Sequence, residues 1–362
     1  MIKGKLNYNE GLVLYGLVKY PLLNDRELAN KLNLKMTTVT AIKNRLKRNK
    51  YYSTIRVPIL RPNEIELFIF IIVKYDTTIP ENELINKINP VISQIPEFFY
   101  GGMANGEGFG LGFATNYTDL MVSIECLAKS LTVEEKCKNT SFQVRALKVF
   151  PLKNLSIFNF FDISEILKTD FKIKLKESNE DKIIPLPKPK EVNLTNIEKL
   201  VLYGLVNYPE LPDSKIADKI NVTRQVISKL KKTFEDDGLI KTIRIADLDK
   251  LGYNIIVIGH NNYNPLTPLE KRKKGLKMIK SELPLIFQIT SNLEGIGISP
   301  VKNFKEAQNL RKKVTAFYKK ENFFISEPNI YLFSIQNLNL IRNHNYGLIV
   351  KKVFGIEDKE LK

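Results

Sequence analysis

The sequence has little of what metal centres and disulfide frameworks are built from: two cysteines, two histidines and no tryptophan in 362 residues. Cys126 and Cys137 stand eleven positions apart, which is neither a disulfide framework nor a metal-ligand spacing, and they read as two small packed thiols. His260 and His344 alone give a metal site too few ligands, so no metal and no cofactor are expected. Long apolar runs are also missing. The longest, residues 67–73, is far short of the roughly 20 residues that span a bilayer, and the N-terminus lacks the apolar block of a signal peptide. The expectation is a soluble, cytoplasmic chain without a membrane partner.

Acid is scarce as well. Against 56 Lys and Arg there are 39 Asp and Glu, a net charge of +17, which points to an anionic partner and to nucleic acid before a membrane surface. With 43% apolar and 10% aromatic residues, the chain has the composition of a folded protein with more than one domain. Its richness in Lys, Ile and Asn suggests an A+T-rich, archaeal genome.

What is present is a duplication. Residues 12–21 read LVLYGLVKYP and residues 200–209 read LVLYGLVNYP. At the same offset the match continues through Asp25/Asp213, Asn33/Asn221, Lys43/Lys231 and Thr54-Ile55-Arg56 against Thr242-Ile243-Arg244. Further on, Glu107-Gly108-Phe109-Gly110 faces Glu294-Gly295-Ile296-Gly297. Two copies thus fill the chain. Between them, residues 172–193, with Pro185, Pro187 and Pro189, read as an extended linker.

In each copy the apolar spacing predicts three short helices, the third after a tight turn, and then a strand-like segment with a hairpin behind it. In copy one, Asp25 is read as the cap of the second helix, and Val39, Ile42 and Leu46 as the buried positions of the third. That order is a winged helix-turn-helix. The alternation then changes to strand, helix, strand, strand, helix, strand, over residues 67–150 and 253–335, with an amphipathic tail closing each copy. The expected class is α+β. Winged helix-turn-helix domains at 1–57 and 194–246 are each followed by a ferredoxin-like α/β sandwich, at 58–171 and 247–362.

This combination resembles the Lrp/AsnC family of transcription regulators, in which a winged helix precedes a ferredoxin-like effector-binding (RAM) domain. The resemblance rests most on Asp236-Asp237-Gly238-Leu239-Ile240-Lys241 and on Ala246-Asp247-Leu248-Asp249-Lys250-Leu251-Gly252-Tyr253. Copy one departs from it at residues 58–66, which lack the Leu-Gly-Tyr. The resemblance implies a sequence-specific DNA-binding regulator, here a covalent pseudo-dimer with two unlike recognition helices, open to further self-association through its RAM-like domains.

Charge is localised. Residues 1–57 carry 12 cations against 3 carboxylates, and residues 247–362 carry 19 against 11, whereas residues 58–171 carry 10 against 14. The candidate DNA contacts of copy one are Lys35, Thr37, Thr38 and Ala41 at the start of the third helix, Lys43, Arg45, Lys47 and Arg48 along it, and Arg56 in the strand. In copy two they are Thr223, Arg224, Gln225, Ser228, Lys229, Lys231, Lys232 and Arg244, where Arg can fork onto guanine and Gln onto adenine. A run from Lys271 to Lys280 offers a second basic face. By analogy with the family, Gly106, Glu107, Gly108, Asn292, Glu294 and Gly295 line a small-molecule effector site; a plain tight turn accounts for the same glycines.

Two other readings stay open. One is an interaction protein whose winged helices bind RNA polymerase or other transcription machinery. The other is an enzyme on the same fold, of the siroheme-decarboxylase class, in which histidines serve the tetrapyrrole. Because His260 ends a strand and His344 lies in the tail, with no paired base in the sequence pattern, the expectation is that the chain is not an enzyme.

Overall fold

A computed structural model describes residues 6–60, 64–75, 77–132, 142–175, 193–268, 270, 271, 275 and 283–357. It is mixed α+β and divides into two compact units, neither contiguous in sequence. Unit 1 comprises residues 1–54, 155–186 and 242–336; unit 2 comprises 55–154, 187–241 and 337–362.

Unit 1 begins with α1 (Tyr8–Lys19), α2 (Asp25–Leu32) and α3 (Met36–Arg48). Asn7 caps α1 in a reciprocal capping box with Glu10. The cap of α2 is Asn24, not Asp25: its side chain accepts from the backbone N–H of Arg26 and Glu27, which leaves Asp25 in the first turn with its carboxylate available for other partners. Asn33 ends α2 in the left-handed region, at φ 54°, as does Asn221 in the other copy, at φ 56°. This conformation suits asparagine and explains the identity at the two turns. Leu14, Leu17, Leu28, Leu32, Val39 and Leu46 bury the three-helix core.

The same unit contains β6 (Ser156–Phe160) and α6 (Ser164–Asp170) from the end of copy one, then β8 (Ile255–Asn262), β9 (Phe287–Thr290), β10 (Glu294–Val301), α10 (Phe304–Glu321) and β11 (Asn329–Ser334) from copy two. The sheet order is β11-β8-β10-β9-β6. Four strands give the ferredoxin-like order and β6, from the other copy, adds the fifth. Helix α6 packs on α1, where Phe171 lies over Gly11.

Unit 2 has the complementary make-up. Its sheet is β12-β3-β4-β2-β5, from β2 (Leu67–Tyr75), β3 (Phe98–Ala104), β4 (Glu107–Ala114) and β5 (Phe142–Pro151) of copy one and β12 (Asn339–Arg342) from the end of copy two. On one face, Ile69, Ile71 and Val73 pack under Leu84, Ile88 and Ile92 of α4 (Glu81–Ile92) and Leu120, Ile124 and Leu127 of α5 (Tyr117–Thr132). On the other, Phe68, Phe99, Phe113 and Phe150 form an equally buried aromatic layer. The unit's helix-turn-helix is α7 (Asn196–Asn207), α8 (Asp213–Ile220) and α9 (Arg224–Asp236), with α11 (Gly347–Phe354) against α7.

The hairpin expected behind each third helix is a single strand. In unit 1 the start of β1 (Tyr52–Pro58) runs beside the end of β7 (Ile240–Ala246), continued by a hydrogen bond from Asp247 N to Tyr51 O. In unit 2 the end of β1 meets the start of β7, continued by Ile59 N to Leu239 O. Cys126 lies exposed on α5 instead of packing in a core. Cys137, the linker from residue 176 to 192 and most of the Lys271–Lys280 run lie outside the described residues. Among the described residues no helix is long and apolar enough to cross a membrane.

Candidate nucleic-acid interface and buried histidines

In unit 1, α3 carries four cations and no carboxylate. Lys43 and Arg45 are engaged inside the motif. Lys43 Nζ lies 2.6 Å from Asp25 Oδ1, Thr40 donates to Asp25 Oδ2, and Arg45 pairs with Glu10 at 2.6 Å. Burial pushes the Asp25 carboxyl up, but hydrogen bonds from Lys43 and Thr40 and the charges of Lys43 and Arg244 outweigh it and hold the group below its ordinary value. Lys43 is therefore a brace between α2 and α3. Lys35, Thr37, Ala41, Lys47 and Arg48 are exposed, and Thr38 is half-buried. Lys35 precedes the helix without capping it.

Unit 2 repeats the brace. Lys231 and Ser228 both reach Asp213, at 2.8 Å each, and hold its carboxyl below the usual range against the upward push of burial. The signal was present in the sequence, since Asp25/Lys43 and Asp213/Lys231 are among the identities between copies. Thr223 caps α9, accepting from Val226 N, and Arg224, Gln225, Lys229 and Lys232 are exposed beyond it.

The strand arginines lie away from the recognition helices of their own copies. Arg56 is buried in unit 2, where Nη1 donates to the carbonyl of Leu205 on α7; burial lowers its pKa against the pull of Glu235, Asp213 and Glu210. Arg244 lies in unit 1 and donates to Leu17 O on α1. Both tie a strand to a first helix.

The proposed effector residues sit at two unlike turns. In unit 2, Asn105 and Gly106 both have positive φ, 52° and 78°, the backbone of a two-residue hairpin; Glu107 is ion-paired with Arg145, and Gly108 is buried. In unit 1, Asn292 is exposed and Gly295 is covered so closely by Tyr263 that a Cβ would meet its hydroxyl at 2.3 Å. Glu294 faces His260.

That last contact was not legible in the sequence pattern. His260 is buried on β8 with Nε2 2.6 Å from Glu294 Oε2, and the amide of Asn329 lies 3.4 Å from Nδ1. A hydrogen bond from Asn329 to Nδ1 would place the proton on Nε2 and let it donate to the carboxylate. The signal was the register of β10 on β8, which sets Glu294 opposite Asn262, one diagonal step from His260. His344, in unit 2, stacks on Tyr100 with ring centroids 4.4 Å apart; full burial pushes its pKa down to about 3 and keeps the imidazole neutral. Its counterpart in copy one, Phe161, shares the positive φ but not the chemistry.

No family model matches the chain, and no curated protein matches its sequence. Solved structures do. The siroheme decarboxylase NirDL is similar over 96% of this chain and 98% of its own, with a TM-score of 0.50 and 10% identity. NirDL in co-complex with an iron-uroporphyrin III analogue is similar over 96% and 99%, again with a TM-score of 0.50 and 10% identity. The likeness is one of fold alone, an α+β fold, and it spans both copies. The expectation that the chain is not an enzyme is thereby corrected, because these two similar solved structures, each matched almost from end to end, are of an enzyme.

Proposed function

We propose that the chain binds duplex DNA through α3 and α9 and acts as a sequence-specific transcription regulator of the Lrp/AsnC type. One observation carries this reading: α3 is a surface helix without a single carboxylate, with Arg48 on it and Lys35 just before it exposed to solvent. Cations so placed neutralise phosphates and release counterions, the sequence-independent part of DNA affinity. Thr37 and Ala41 on α3, and Arg224, Gln225 and Ser228 on α9, occupy the N-terminal part of a recognition helix, where base edges are met. Ser228 is spent on Asp213, so base reading by α9 falls to Arg224 and Gln225. Charge reversal at exposed positions, Arg48→Glu and Lys232→Glu, tests the reading by fluorescence anisotropy with labelled duplex. Binding of every duplex should collapse while the circular dichroism spectrum stays unchanged, and undiminished binding by both variants would contradict it.

A tetrapyrrole-handling activity is the second reading, favoured by the fold shared with NirDL and by the His260–Glu294 contact. Titration with an iron porphyrin, followed in the Soret region, tests it. A saturable shift lost in His260→Ala or His344→Phe supports it, and a spectrum identical to that of free porphyrin argues against it.

A further inference from the structure

The two sheets differ at one place in a way the fold does not require. In unit 2, Gly110 of β4 stands between Ile71 of β2 and Gly101 of β3, and Gly108 stands beside Val73. Ile71 and Val73 fill the core under α4 and α5. At the matching places in unit 1, Gly297 of β10 stands between Gly259 and Gln288, and Gly295 stands beside Asn261. An isoleucine is thus replaced by a glycine, a valine by an asparagine, and a glycine by a glutamine.

These exchanges leave a cavity of about 70 Å3 between the sheet and α10, lined by Gly259, Asn261 and Gln288, by Val257 and Ile296, and by Tyr263 and Tyr318. A Cβ added at Gly259 would meet nothing within 4 Å among the described residues. Gln288 is only 5% exposed, and its buried Oε1 has no hydrogen-bond partner among the described residues. A glycine in mid-strand and a buried acceptor without a donor each cost stability, and a strand glycine often marks where a ligand approaches the backbone.

We infer that this cavity in unit 1 is a binding site for a compact, mostly apolar molecule that carries an N–H donor, roughly the size of a small heterocyclic ring. The ring lies over Gly259 against the Tyr263–Tyr318 wall, and its N–H donates to Gln288 Oε1. The site does not include Asn292 or Glu294, although Tyr263 also covers Gly295, and its test contains no DNA.

Pyrrole and furan, rings of one shape that differ in the N–H, are the probes. Saturation-transfer NMR and titration with the full chain should show pyrrole bound about tenfold more tightly than furan, the factor expected when one buried hydrogen bond is missing. Gly259→Ile, which supplies the side chain that stands at Ile71, should raise the melting temperature and abolish transfer to both rings. Gln288→Leu should keep the cavity but bind the two rings equally. Failure of pyrrole to bind, equal binding by Gly259→Ile, or a Gly259→Ile protein less stable than the parent would each overturn the assignment.

Discussion

A charged residue on α3 or α9 either braces the helices together or stands exposed, and the structure separates the two. Lys231 and Asp213 are partly buried partners, so Asp213→Ala should cost about 1 kcal/mol of stability, read from urea unfolding. Arg224 is exposed at the start of α9. Its replacement by Ala should cost about 1–3 kcal/mol of binding and relax preference at one base position, whereas Arg48→Ala should weaken all sequences alike and lower the salt slope by about 1. Selection experiments on randomised duplexes distinguish these, and equal effects of both changes on random DNA would refute the assignment of roles. His344 gives a pH prediction. Its folded pKa, about 3, lies below the ordinary imidazole value of 6.5, so the unfolded chain binds the proton first as pH falls. Stability from this group is complete above pH 6.5 and is lost as pH falls toward 3, at up to about 1.4 kcal/mol per pH unit. Urea unfolding at pH 7 and pH 5 should show that loss in the parent, and a smaller one in His344→Phe, the residue found at position 161.

At the scale of elements, the tails decide the architecture. Strand β6 pairs with β9, and β12 pairs with β3, so each sheet takes its fifth strand from the other copy. The following helices then pack on α1 and α7. In unit 1 that packing runs through Gly11, where a Cβ would come within 2.3 Å of the Phe171 ring. Ala is normally the better helix residue by roughly 1 kcal/mol, yet Gly11→Ala should destabilise by about 1–3 kcal/mol through overpacking. A rise in melting temperature would show that α6 yields at this contact. The helices were legible because their burial follows a local period, as in Val39, Ile42 and Leu46, and strands such as residues 67–73 because they are unbroken apolar runs buried on both faces. The exchanged strands were not. Residues 156–160 and 339–342 are four or five residues long, too short for a clear period, and what they pair with is set by residues more than a hundred positions away. For the same reason the partners of Arg56 and Arg244 escaped a reading of local pattern, and that of His260, 34 positions on, depends on the register of β10 against β8.

For the whole molecule, duplication has let the copies diverge within one fold. One sheet has a filled core and the other a cavity, one tail carries His344 and the other Phe161, and α3 and α9 present different side chains. Unlike recognition helices predict an asymmetric operator. Footprinting should give a site without dyad symmetry, and two identical inverted half-sites would count against the proposal.

The most direct test of the DNA reading is the affinity of the full chain for fragments of its own genome, its upstream region included, measured across a salt series with random duplex as competitor. The account predicts selective binding whose logarithm falls steeply and linearly with the logarithm of salt. Weak binding that shows neither selectivity nor salt dependence would contradict it.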